Sequence, residues 1–217
     1  MTRTGKDEGI PEEHVRERRK DTAWDKSWNE YGPMRTRRGP VFFGPPRLRL
    51  ETHPDQEPRP DVAAVALILY PREDGLGTLL TVRRPDLQRH AGQVALPGGA
   101  YEPEDGTLAA TARRETWEEV HVAFGEDAIL GWLPSHFVVV SRFHICPAVV
   151  WLPEVPDVLP SDREVAAVLF PHVGRLLATR TWEERDGAIH PVYTWEGHRV
   201  WGATARVLRS FEERLVA

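Results

Sequence analysis

The sequence predicts a mixed α/β fold, and three observations predict it. A continuous apolar run at 62–70 has the length of a strand and no polar face, as expected where both sides are covered. A helix begins near Leu108, behind the capping candidates Asp105 and Thr107. Further apolar stretches at 129–133, 137–140 and 143–152 read as strands, so the chain has strands before and after the helix. Periodicity alone takes the reading no further than mixed α and β.

In chain order, residues 1 to about 47 are charged and turn-rich, with basic clusters at 16–20 and 35–38, and read as a mobile arm. Trp24, Trp28 and Tyr31 interrupt it at helical intervals, which suggests a short helix docking on the same chain or on a second copy in a homodimer. Residues 47–60, rich in Pro and charge, resemble a linker. The expected organisation is therefore an extension and linker over 1–59 and one domain over 60–217. After the first strand, 71–77 reads as a turn and 78–82 as the next strand. Residues 165–170 suit a strand leading into a short helix at 172–177. Residues 192–195 and 198–200 suit a hairpin around Glu196 and Gly197, and 201–205 opens a terminal helix running through Phe211 and Leu215. No internal repeat is present.

Composition limits the function classes. The 217 residues are 41% apolar, enough for a sizeable core. A net charge of −5 with a pI near 6.0 argues against a general nucleic-acid binder. No apolar stretch is long enough to span a bilayer, and the first residues carry no signal-like apolar core, so neither a membrane partner nor export is expected. The single cysteine, Cys146, excludes an internal disulfide framework and suits a reducing, cytoplasmic location.

Chemistry concentrates in the middle of the chain. On a helix, Glu115, Glu118 and Glu119 share a narrow arc, and no lysine lies within a turn to relieve their repulsion. Taken alone, such a pattern is most simply a solvated acidic face. The preceding run 96–106 alters that reading, because Gly98 and Gly99 let backbone approach a ligand closely and the following turn leads into a capped helix. Loop, cap and carboxylates together suit a divalent cation with a phosphate-bearing substrate, since Mg²⁺ takes carboxylate oxygens and keeps waters. Upstream, the β-branched and aliphatic stretch 78–82 delivers Arg83 and Arg84 to a strand end. There they either present planar donor groups to phosphate or remain solvent-exposed charge. His90 either donates to phosphate or caps its loop.

These residues resemble the Nudix hydrolases, whose signature places a glycine, an acidic residue and then Arg-Glu-x-x-Glu-Glu; Gly99, Asp105, Arg114, Glu115, Glu118 and Glu119 fall on it. The loop between Gly99 and Arg114 is one residue longer than the general pattern, and His121 stands where a glycine is usual. The longer loop, and the stretch Leu79 to Gly99 with Leu-Leu-Thr-x-Arg, Leu-x-x-His-x-Gly-Gln and Pro-Gly-Gly in order, resemble the coenzyme A diphosphatase subgroup, with Leu96 replacing the usual phenylalanine. Ser141 to His144, Glu164 to Ala166 and Trp201 to Ala205 are also similar to that subgroup, so the resemblance covers about 60–215.

The resemblance implies an α/β/α sandwich with a mixed sheet between helices, and metal-dependent hydrolysis of the diphosphate of coenzyme A or its derivatives. It implies Mg²⁺ or Mn²⁺ on Glu115, Glu118 and Glu119, with Glu118 or Glu119 also polarising the attacking water. Arg114 would pair with the motif carboxylates, and Asp105 belongs to the same structural motif. Gly98 and Gly99, with Arg83, Arg84 and His90, would meet the substrate. Glu164 is a candidate for a further ligand or general base, and equally a surface glutamate. The alternatives are another nucleoside diphosphate-linked substrate, or a non-catalytic nucleotide-binding protein on the same fold.

Overall fold

The structure, a computed structural model, describes residues 44–87 and 90–216. The basic clusters of the arm, and Trp24, Trp28 and Tyr31, lie outside the described residues.

Strand β1 (Val62–Arg72) is the axis of the fold, and its burial explains its composition. It runs parallel to β8 (Phe143–Trp151) on one edge. On the other edge it pairs antiparallel with β2 (Gly75–Thr78) at its C-terminal half and with β5 (Gly98–Ala100) at its N-terminal half. The outer edge of β8 takes β6 (Ile129–Trp132) and β7 (His136–Val138), completing a six-stranded mixed sheet. With neighbours on both edges and layers on both faces, β1 carries only apolar side chains from Val62 to Leu69.

Alternate residues of β1 serve the two layers. Ala64, Ala66 and Ile68 join Leu108, Ala112 and Val120 of helix α1 (Leu108–Val120). Leu67 and Leu69 join the opposite core with Leu176 of α2 (Val173–Ala178), and with Leu208 and Phe211 of α3 (Gly202–Glu212). That second layer includes a small sheet, β4 (Val94–Ala95), β3 (Leu80–Arg83) and β9 (Val165–Leu169). Helices therefore cover both faces of a mixed sheet, an α/β architecture. A third sheet comprises β10 (Thr181–Arg185), β11 (Ala188–Trp195) and β12 (His198–Val200).

Several details differ from expectation: the strand expected at 137–140 ends at Val138, and the terminal helix expected to run through Leu215 ends at Glu212. The turn expected over 71–77 contracts to Glu73 and Asp74, because Pro71 already pairs with Leu76 and Arg72 with Gly75 across the β1–β2 hairpin. The strand expected at 78–82 is two strands. Thr78 ends β2 in the large sheet, its hydroxyl donating to the Ile68 carbonyl at 2.8 Å, and Leu80 starts β3 in the small one. Strand β10, exposed along its length, has no apolar pattern to announce it. Within the linker stretch, Leu48 bridges to Leu215 and Glu51 to Trp132, with Leu48 and Leu50 packed against the core. Among the described residues, no helix is long and apolar enough to cross a membrane.

Strand β5 sets the position of the site, and Gly98 is what lets β5 lie against β1. Its φ is +149°, and a Cβ there would sit 2.5 Å from Val65 Cα and collide with the Ala64 carbonyl. Because both obstacles are backbone, Gly98→Ala is expected to destabilise the domain by about 2–3 kcal/mol, read as a lowered midpoint in urea at unchanged slope.

Candidate functional site

Helix α1 carries the acidic residues at the positions its motif requires. Thr107 Oγ1 accepts from Ala110 N at 3.1 Å and caps the helix start. Asp105 caps instead the short turn before it, accepting from Glu102 N at 3.0 Å. The helix ends at His121, in the left-handed region at φ 54° and ψ 30°, a conformation that costs a non-glycine residue roughly 1 kcal/mol. The His121 ring binds the Leu159 carbonyl at 2.8 Å and offsets part of that cost. The segment after Leu159 is tied to the same helix end, because Leu159 N donates to Val120 O and Ser161 N to Glu119 O. This clamp delivers Glu164, the residue before β9, to the carboxylates of α1.

Two guanidinium groups organise the acids differently. Arg114 is held tightly: Nε and Nη2 donate to the two Asp105 oxygens at 2.8 and 3.0 Å, Nη1 to Glu115 at 2.7 Å, and Nη2 also to the Ala100 carbonyl at 3.0 Å. Nη1 also reaches Glu118 at 3.3 Å. Thr111 completes this knot by donating to Asp105 at 2.8 Å. Arg83, from the end of β3, spans Glu119 and Glu164 with both contacts at 3.4 Å. The second Glu119 oxygen accepts from Gly98 N at 3.3 Å. Gly99 lies directly beneath Glu115, and a Cβ there would sit 2.5 Å from both carboxylate oxygens.

The titration behaviour follows from these contacts. Hydrogen bonding to Arg114 holds the Asp105 carboxyl down at about 2, and the same pairing raises Arg114 further above its ordinary value. Burial raises Glu115 against the pull of Arg114. Burial also pushes Glu119 up to about 8, with Glu115 and Glu164 adding to the rise and Arg83 and Gly98 opposing it. Five carboxylates face two guanidinium groups here, so the ion pairs leave a surplus of negative charge.

Among the described residues, no three His, Cys, Asp or Glu side chains are grouped so as to hold a metal ion, and Arg83 and Arg114 lie on the carboxylate oxygens. The chemistry of the donor set nevertheless fits a hard divalent cation. Its donors are all oxygens, its charge is under-compensated, and its most buried member, Glu119, is poorly solvated as an anion.

Of the residues singled out in the sequence, Arg83, Gly98, Gly99, Asp105, Arg114, Glu115, Glu118, Glu119 and Glu164 come together. Arg84 and His90 are engaged elsewhere. Arg84 donates to both Asp86 oxygens at 2.9 and 2.8 Å and to the Asp162 carbonyl at 2.7 Å, so its donors hold two loops together. His90 Nδ1 lies 3.0 Å from Gln93 Oε1 within its own turn. Sequence reasoning missed Thr111, which sits three residues before Arg114 on the same helix face; that spacing was the available signal. It also missed the clamp at Leu159 and Ser161, whose backbone bonds leave no trace in side-chain type.

The family described as the NUDIX domain matches residues 60–190. An uncharacterized Nudix hydrolase NudL of Yersinia pestis (strain Pestoides F) is 35% identical over 145 residues, covering 64% of this chain and 72% of the relative. Among solved structures, a MutT/nudix family protein from Enterococcus faecalis superposes with a TM-score of 0.53 at 15% identity, covering 75% of this chain and 64% of that one. The NUDIX domain of Shewanella oneidensis NrtR, complexed with ADP ribose, superposes with a TM-score of 0.52 at 13% identity, covering 70% and 86%.

The Asp105 carboxyl binds fewer protons folded than unfolded, so its pairing with Arg114 stabilises the domain above about pH 4 and is lost as pH falls toward 2. Asp105→Asn is expected to cost about 2 kcal/mol at pH 7 and to flatten the acid limb of stability against pH. Gly99→Ala should behave differently from the Gly98 change. The obstacle there is a side-chain end, so stability in urea should shift by less than about 1 kcal/mol while Glu115 is displaced and activity lost.

Proposed function

The chain belongs to the Nudix family of hydrolases, and from that premise we propose that it cleaves the diphosphate bond of coenzyme A or its derivatives, releasing 3′,5′-ADP and (acyl-)4′-phosphopantetheine. The observation that carries the reading is the meeting of Glu115, Glu118, Glu119 and Glu164 with Arg83 beside the Gly98–Gly99 strand. The choice of coenzyme A among nucleoside diphosphate-linked compounds is supported by the sequence from Leu79 to Gly99. Its residues form β3, β4, β5 and the turn closed by His90 and Gln93, immediately beside Arg83.

Nudix hydrolases generally need divalent cations, and Glu115, Glu118 and Glu119 are the residues that would hold Mg²⁺ or Mn²⁺ here. When bound, the cation neutralises the diphosphate oxygens and favours attack by water. The protein's own groups do the positioning. Arg114, anchored by Asp105, holds Glu115 and Glu118 in place. Arg83 offers donors to the substrate's anionic oxygens. Glu118 and Glu164 are half exposed and can accept a proton from water, whereas Glu119 is buried against Gly98 N.

Product analysis tests the assignment. With Mg²⁺ or Mn²⁺, coenzyme A is expected to yield 3′,5′-ADP, with turnover at least about tenfold above that of dephospho-coenzyme A or ADP-ribose, a difference of about 1.4 kcal/mol. Equal rates with and without the 3′-phosphate would exclude coenzyme A as the selected substrate. Glu119→Gln should lower kcat by about 10³, the equivalent of about 4 kcal/mol of lost charge stabilisation; undiminished turnover would remove Glu119 from the metal site.

A further inference from the structure

Arg83 and Arg114 both lie on the carboxylates of the site, yet their attachments differ in kind. Arg114 is fixed by contacts of 2.7–3.0 Å to Asp105, Glu115 and a main-chain carbonyl. Arg83 touches Glu119 and Glu164 only at 3.4 Å, the outer limit of a hydrogen bond, and its Nε is buried with no hydrogen-bond partner. Its backbone, by contrast, is firmly placed. Arg83 N donates to Gln93 O at 2.9 Å, its carbonyl accepts from Gly92 N at 3.1 Å, and it pairs in register with Val165, the residue after Glu164. A fixed backbone with a loosely held guanidinium describes a side chain that has more than one place to be.

Resting on the proposed metal-dependent reading of this site, we propose that Arg83 is an exchangeable counter-ion. Its guanidinium rests between Glu119 and Glu164 until a divalent cation takes Glu119, and it then turns to the anionic oxygens of the diphosphate. One residue thereby stabilises the charged site before loading and contributes to substrate binding afterwards. The pairing with Glu119 competes directly with the cation, because the same carboxylate serves both. Arg114 does not exchange, since its release would undo the Asp105 knot that holds the loop ahead of the helix.

The competition gives removal of Arg83 a sign opposite to that of structural damage. Mn²⁺ binding to the substrate-free full-length protein, followed by electron paramagnetic resonance, is expected to be about tenfold tighter in Arg83→Met than in the unaltered chain. Binding of ADP, measured in the presence of saturating Mn²⁺, is expected to weaken by a similar factor. Arg83→Lys retains the charge but not the two-armed reach, and should tighten Mn²⁺ binding by a smaller factor; it decides the question if Arg83→Met does not fold. Mn²⁺ affinity that is unchanged or weaker in the folded variant, with Mn²⁺ bound normally by the unaltered chain, would overturn the exchange while leaving the metal site intact. Failure of the unaltered chain to bind Mn²⁺ would overturn both.

Discussion

Carboxylate crowding is the constraint around which the rest of this structure is arranged. Glu115, Glu118 and Glu119 come from one helix, Glu164 from the turn ahead of a distant strand and Asp105 from the turn preceding the helix, with Arg114 and Arg83 as their cationic partners. A surplus of anionic groups in partly buried surroundings is unfavourable by itself, and it persists only where the backbone around it leaves the side chains no other place. The raised carboxyl of Glu119 is the local sign of that cost.

The backbone achieves this through three segments that converge on α1. Strand β5 is held against β1 by Gly98, which brings the glycine pair beneath Glu115 and Glu119. The 159–165 segment is bonded to the C-terminal carbonyls of α1 and carries Glu164 to the site. Strand β3, paired with β9, places Arg83 beside that segment. Arg84 then secures the strand end by binding Asp86 and the Asp162 carbonyl. Adjacent arginines in one sequence therefore have different duties: one is committed to structure, and the other faces the acids.

The two ion-pair systems divide stability from reactivity. The Arg114 and Asp105 knot is short, multiply bonded and mostly buried, and it connects loop, strand and helix. The Arg83 bridge is long and incompletely satisfied. A site that must bind a charged ligand needs both, since rigid support positions the groups while weakly paired groups remain available to the ligand.

The fold class was legible in the sequence because burial on both faces of β1 forces an uninterrupted apolar run, and the order of strands around one helix followed from local composition. The acidic arc of α1 was legible for a similar reason, since helical spacing alone puts Glu115, Glu118 and Glu119 on one side. Local pattern had no information on which arginine would face the acids, because Arg83 and Arg84 are chemically identical neighbours and only the β3–β9 register separates them. The arrival of Glu164, the division of 75–83 between two sheets and the attachment of Leu48 and Glu51 to the domain were likewise decided by tertiary structure. Each depends on pairing between segments far apart in the chain, and such pairing is fixed by backbone geometry rather than by side-chain type.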